Sequence, residues 1–155
     1  MNIATAVVAL MAMAVPAAVL TGDKAEVIPA QNVQAQLAQL APQAKTSGSS
    51  GSTLATYGNL ALKLSVRTAS GGAEIHARYD DLMIVQQGSA TLITGGKVEN
   101  PQVGNDGETK GSSVQGGQSQ TIKVGDVVVV PAGVPHQLLI PKGTLYSALV
   151  AKIKE

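Results

Sequence analysis

A chain of 155 residues with 14% charged side chains and a net charge of +1 is long enough to bury one core. It lacks the clustered Lys and Arg that nucleic-acid binding requires. It contains no Cys, Phe or Trp and only three Tyr, which excludes disulfides, thiolate metal sites and a Cys nucleophile. The core must therefore be aliphatic, and seventeen glycines among many Val, Ile and Thr favour short strands and turns over a helical bundle.

Residues Ile3 to Leu20 form an almost unbroken apolar run, followed by Thr21-Gly22-Asp23-Lys24. No Lys or Arg precedes the run, yet its length and small residues resemble the apolar core of a secretory signal peptide, with cleavage expected near Ala14 to Ala18. Its eighteen residues also reach the lower limit for a membrane anchor. Pro16 and the alanine content favour cleavage. The expectation is a periplasmic or secreted protein with no stable membrane insertion after cleavage.

Pro29 to Ala41 reads as a short helix. Pro29 suits a first helical turn, and Val33, Leu37 and Leu40 fall on one face. Pro42 is expected to end it, and Lys45 to Ser52 reads as a flexible Gly/Ser linker. The domain plan is therefore residues 1–20 as signal peptide or apolar segment, 21–56 as helix and linker, and 57–155 as one β domain.

From Tyr57 the period becomes two. Leu60, Leu62, Leu64 and Val66 alternate with Ala61, Lys63, Ser65 and Arg67, giving one buried and one solvated face. Further strands are expected over Ala73–Arg78, Asp81–Gln87 and Ala90–Thr94. Lys97 to Ser119 has no apolar periodicity and reads as a long loop, expected to lie as a lid over a barrel mouth. Strand signals return at Thr121–Val124, at Val127–Val130, at Gln137–Ile140 and at Thr144–Lys152. The four valines Val127 to Val130 read as a strand buried on both faces. Eight or nine short strands and one helix imply a β-barrel or double-sheet jelly roll.

The chemistry-bearing residues are few. The two histidines are His76 and His136. Glu74 and His76 lie two apart on one strand and share a face, so a carboxylate and an imidazole project together. Arg78 continues that face. Gln86 and Gln137 are expected pocket hydrogen bonders by alternation, whereas Tyr79 falls on the opposite face. No nucleophile elbow or phosphate loop is present.

Gly125-x5-Pro131-x-Gly133-x2-His136 resembles the second motif of the cupin superfamily, with Ile140 where that motif ends in Asn. Glu74-x-His76-x4-Asp81-x6-Gly88 has the spacing of the first motif, with Glu74 replacing a His and Asp81 replacing a Glu. The resemblance covers residues 57 to 153. It implies an all-β cupin double-stranded β-helix, a jelly-roll barrel with a short N-terminal helix. It further implies a divalent metal (Fe, Mn, Ni or Zn) held by Glu74, His76, Asp81 and His136, a chemically sound two-His, two-carboxylate set. Arg78, Gln86 and Gln137 are then expected to contact a small-molecule ligand. A homodimer is the expected assembly, and no nucleic acid is expected as partner. The competing reading is a metal-free, non-catalytic cupin that binds a ligand or serves a structural role. Substrate and catalysis are not specified by these residues.

Overall fold

The computed structural model describes residues 24–155 and, as backbone alone, the two-residue strand β1 (Ala18–Val19). The apolar run read as a signal peptide otherwise lies outside the described residues. Helix α1 (Ala30–Ser47) is followed by β2 (Ser49–Tyr57), β3 (Leu60–Arg67), β4 (Ala73–Ile75), β5 (Tyr79–Gln87) and β6 (Ser89–Thr94). Four short strands occupy the next stretch: β7 (Lys97–Val98), β8 (Gln102–Val103), β9 (Thr109–Gly111) and β10 (Val114–Gln115). The chain ends with β11 (Gln118–Lys123), β12 (Val127–Val130), β13 (His136–Leu139) and β14 (Tyr146–Lys154). Among the described residues no helix is long and apolar enough to cross a membrane.

The strands build two six-stranded sheets, ordered β1-β2-β3-β14-β5-β12 and β11-β6-β13-β4-β9-β8, with β7 and β10 as a separate pair. Apart from the parallel β1–β2 contact, the pairings are antiparallel. The sheets face each other over an aliphatic core. Met83, Val85, Val130 and Ala148 from the first sheet meet Ala90, Leu92 and Ile122 from the second. Tyr146 is the largest fully buried side chain of this core. Burying each such aliphatic side chain contributes about 1.5–3 kcal/mol before entropy is counted.

A second cluster lies on the outer side of the first sheet, where Val33, Leu37 and Ala44 of α1 cover Leu54, Leu64 and Val66. The alternation in β3 is therefore real, but its two faces differ from expectation. The apolar face packs under the helix. The face carrying Lys63, Ser65 and Arg67, expected to be solvated, lines the space between the sheets.

Several sequence expectations need correction. The helix runs through Pro42 to Ser47, and Gly48 closes it with its N–H on the Ala44 carbonyl. Proline removes one backbone donor, but fully buried Ala44 and the Thr68 hydroxyl, 2.6 Å from the Ala44 carbonyl, hold the last turn in place. The Gly/Ser stretch is not a linker. From Ser49 it is strand β2, whose Ser50 and Ser52 share the helix-facing side with their partners Val66 and Leu64. Small side chains fit beneath a helix that sits close, and the Ser50 hydroxyl bonds the Leu40 carbonyl at 2.7 Å. The β domain thus begins well before residue 57. Strand β4 stops at Ile75, three residues short of Arg78.

The four valines of β12 are not buried on both faces. This strand is the sheet edge, so Val128 and Val130 turn inward while Val127 and Val129 are 62% and 60% exposed. The stretch Lys97 to Ser119 is not a free loop either. Strand β9 pairs with β4, and β8 pairs with β9, so it extends the second sheet as a wall of the cavity.

Candidate metal site

Register places the key side chains. Glu74 on β4 lies directly opposite His136 on β13, and such cross-strand pairs bring Cβ atoms to about 5 Å. His76 follows β4 immediately. Its carbonyl accepts the N–H of Gly133 at 2.8 Å, so the turn before β13 also fixes the backbone next to the first histidine. That turn needs a glycine, because Gly133 has φ +78°, a region costly for side chains with a Cβ. The adjoining Ala132 N–H bonds Asp80 Oδ1 at 2.8 Å. The two motifs spaced along the sequence are thus one hydrogen-bonded unit in space.

Ligand atoms of Glu74, His76 and His136 all lie within 4.8 Å of one another. The imidazole centroids are 5.0 Å apart, and Glu74 Oε2 is 3.8 Å from His76 Nε2. His136 Nδ1 donates to the Val134 carbonyl at 3.1 Å, leaving the lone pair on Nε2.

His76 Nδ1 pairs with a residue sequence reasoning missed, Glu108. The same carboxylate accepts the Ala77 N–H at 3.2 Å. A carboxylate on one ring nitrogen orients the ring and makes the other nitrogen a better ligand. No local signal marked Glu108, which lies 32 residues from His76. The pairing of Ile75 with Thr109 is what brings it there.

Asp81 occupies a different role from the expected one. Its Oδ2 is 3.2 Å from His76 Nε2, and its Oδ1 is 3.0 Å from Lys152 Nζ. Lys152 enters from β14, where it pairs with Asp81 across the sheet. Asp81 therefore stands beside the Glu74–His76–His136 group with its charge already compensated by a lysine.

Protonation follows from these contacts. Burial disfavours a charged His76, but hydrogen bonds to Asp81 and Glu108 outweigh it, and its pKa is raised above 6.5. Burial likewise opposes a charged Asp81, yet His76 and Lys152 lower its pKa below 3.8. For His136 burial dominates and lowers the pKa, so this imidazole is neutral near pH 7 with Nε2 free.

Two imidazoles and one carboxylate are a donor set suited to Fe(II), Mn(II), Ni(II) or Zn(II). Metal–ligand bonds of about 2.0–2.2 Å require these donors to draw closer than 4.8 Å, a side-chain adjustment rather than a refolding. The residues fit a metal, with Glu74, His76 and His136 as ligands and Glu108 behind His76.

The group opens into a cavity of about 770 Å³, whose lining includes Lys63, Ser65, Arg67, Met83, Lys110 and Val150. Of the three expected ligand-contacting residues, Arg78 is exposed on a bend and outside that lining. The early end of β4 breaks the alternation that placed it inside. Gln86 accepts a hydrogen bond from Gln34 of α1 at 3.1 Å, so it tethers the helix on the outer face. Gln137 is buried at the cavity wall, but its amide is used by backbone: the Val114 N–H at 3.1 Å and the Gly71 carbonyl at 2.9 Å.

No protein-family model and no curated protein matches the chain. Solved structures are similar to it. BH2720 from Bacillus halodurans aligns with a TM-score of 0.59 at 15% identity, over 87% of this chain and 85% of that one. The DMSP lyase DddQ from Ruegeria pomeroyi aligns at 0.52 and 15% identity over 71% of this chain, which spans 49% of the length of that one. The cupin domain of Cnp3 from Schizosaccharomyces pombe aligns at 0.52 and 10% identity, over 70% of this chain and 66% of that one. At such identities the likeness is one of fold. The paired antiparallel sheets and this likeness give the chain a double-stranded β-helix fold, similar to that of the solved cupin domain of Cnp3.

Proposed function

We propose that the protein binds one divalent metal ion through Glu74, His76 and His136, and uses the adjoining cavity to hold a small organic molecule. The observation that carries this reading is the convergence of those three donors within 4.8 Å. When bound, the metal supplies Lewis acidity at the inner end of the cavity. The chain's own residues then have separate tasks. Glu108 orients His76 through Nδ1, the Val134 carbonyl fixes the tautomer of His136, and Lys152 keeps Asp81 ionised beside the ligands.

A second reading has its own support. His76 already lies between Asp81 and Glu108, a self-satisfied polar cluster that needs no ion, as in a metal-free binding module. Titration with Mn(II), Zn(II), Ni(II) and Fe(II), followed by melting temperature, separates the two. A ligand specific to the folded state stabilises it by mass action, about 2.7 kcal/mol at a hundred times Kd. Saturable stabilisation that disappears in His76→Ala and His136→Ala supports the metal reading. Equal responses in all three proteins refute it. Export and homodimer formation belong to the same proposal. Export is supported by the Ile3–Leu20 run, and N-terminal sequencing of the mature protein tests it.

A further inference from the structure

We infer that the cavity takes an organic carboxylate, whose anionic group sits on Arg67 while the rest of the molecule reaches toward the Glu74–His76–His136 group. This deepens the small-molecule reading above and rests on it for the second contact point. Arg67 lies on the cavity-facing side of β3 with Lys63 and Ser65. No carboxylate of the described residues lies within ion-pair distance of its guanidinium. Its Nε is buried and without a hydrogen-bond partner among them. Tyr146, paired with Arg67 across the β3–β14 ladder, is fully buried and its hydroxyl is equally unpartnered. Buried donors of this kind ordinarily find partners; the Arg67 Nε finds none in the described chain, and the two terminal nitrogens, which have no side-chain partner either, are the donors left to meet a ligand from the cavity.

The cradle is shaped for it. A Cβ on Gly71 would stand 2.8 Å from Arg67 Nη1, so the glycine leaves the room that the end of the guanidinium occupies. The Gly71 N–H bonds the Leu138 carbonyl at 3.0 Å, and Leu138 is two residues beyond His136. That offset corresponds to about 7 Å along a strand, a span suited to a small molecule with two polar ends. A planar guanidinium without a carboxylate partner of its own is the side chain that takes a carboxylate in bidentate fashion. Lys63 adds a second positive charge toward the open side.

The test uses the full chain and the probes acetate, malonate, succinate, glutarate and adipate, at matched ionic strength, with inorganic phosphate as the competing probe. Melting temperature is followed with and without Mn(II). At least one dicarboxylate is expected to stabilise the wild type saturably. Arg67→Met should weaken its half-saturation roughly tenfold to hundredfold, the loss of one charged hydrogen-bonding partner. Gly71→Ala guards against a folding defect, since its backbone is not left-handed and only the flexible guanidinium must move. It should also weaken carboxylate binding. Both variants should keep the metal response of the wild type. Stabilisation by phosphate alone, no stabilisation by any carboxylate, or equal stabilisation of wild type and both variants overturns the inference. Arg67-dependent carboxylate binding without a metal response upholds it and overturns the metal reading instead. A metal response without Arg67-dependent carboxylate binding does the reverse.

Discussion

Replacing Lys152 by Met tests how Asp81 is held and what that means for the metal. Lys152 Nζ lies 3.0 Å from Asp81 Oδ1, with side chains 17% and 10% exposed. At that distance and an effective dielectric of about 20, the attraction is about 5.5 kcal/mol before desolvation is subtracted. Removing one partner of a buried pair costs roughly 3–5 kcal/mol. Residual solvent contact and the remaining His76 contact, 3.2 Å away, place the expected loss at the lower end, about 3 kcal/mol. The same change frees the Asp81 carboxylate to join Glu74, His76 and His136. Lys152→Met should therefore lose stability without metal and regain more from saturating Zn(II) or Mn(II) than the wild type does. Urea denaturation with and without metal measures both increments. A variant as stable as the wild type without metal would show that the pair does not hold Asp81. An identical metal increment would show that Asp81 is not brought into play.

Two further outcomes follow from the same contacts. Glu108→Gln removes the charge behind His76 while keeping an acceptor, so metal affinity should fall about 10- to 100-fold; calorimetric titration checks it, and unchanged affinity rejects the orienting role. In the metal-free protein, stability should peak near pH 6.5. His76, with its raised pKa, contributes stability that is full below 6.5 and lost as pH rises through its folded value. His136, with its lowered pKa, withdraws stability as pH falls from 6.5 toward its folded value, and Asp81 adds a further loss once pH falls below 3.8 toward its own folded value. Denaturation series across pH should show that His76→Ala flattens the alkaline side and His136→Ala the acidic side; a wild-type profile flat through 6.5 contradicts the assignment.

The motifs were legible because they are local. Pro131, Gly133 and His136 sit in one turn and strand start, and their resemblance to a known motif implied the fold and one clustered donor, His136; the spacing of the upstream motif added His76. Glu74 was legible for the same reason, through period-two alternation with His76. What escaped was non-local. Glu108 depends on the pairing of β9 with β4 inside a stretch without apolar period, and Lys152 depends on the register of the last strand against β5. Arg67 and Lys63 alternate as a polar face should, and a sequence cannot tell a polar face turned to solvent from one turned to a wet cavity. The valines of β12 carry high strand propensity, but propensity does not state whether a strand is central or at an edge. Proline 42 was overridden by packing, since Ala44 is wholly buried two residues later.

A metal-binding group of Glu74, His76 and His136 has one direct consequence for the purified protein. Metal content of untagged protein, measured by plasma mass spectrometry beside a His76→Ala/His136→Ala double variant of equal purity, addresses it directly. About one divalent transition-metal ion per wild-type chain and none in the variant is the expected result for a three-ligand site. Absence of stoichiometric metal in both, after exposure to each candidate ion, would contradict it.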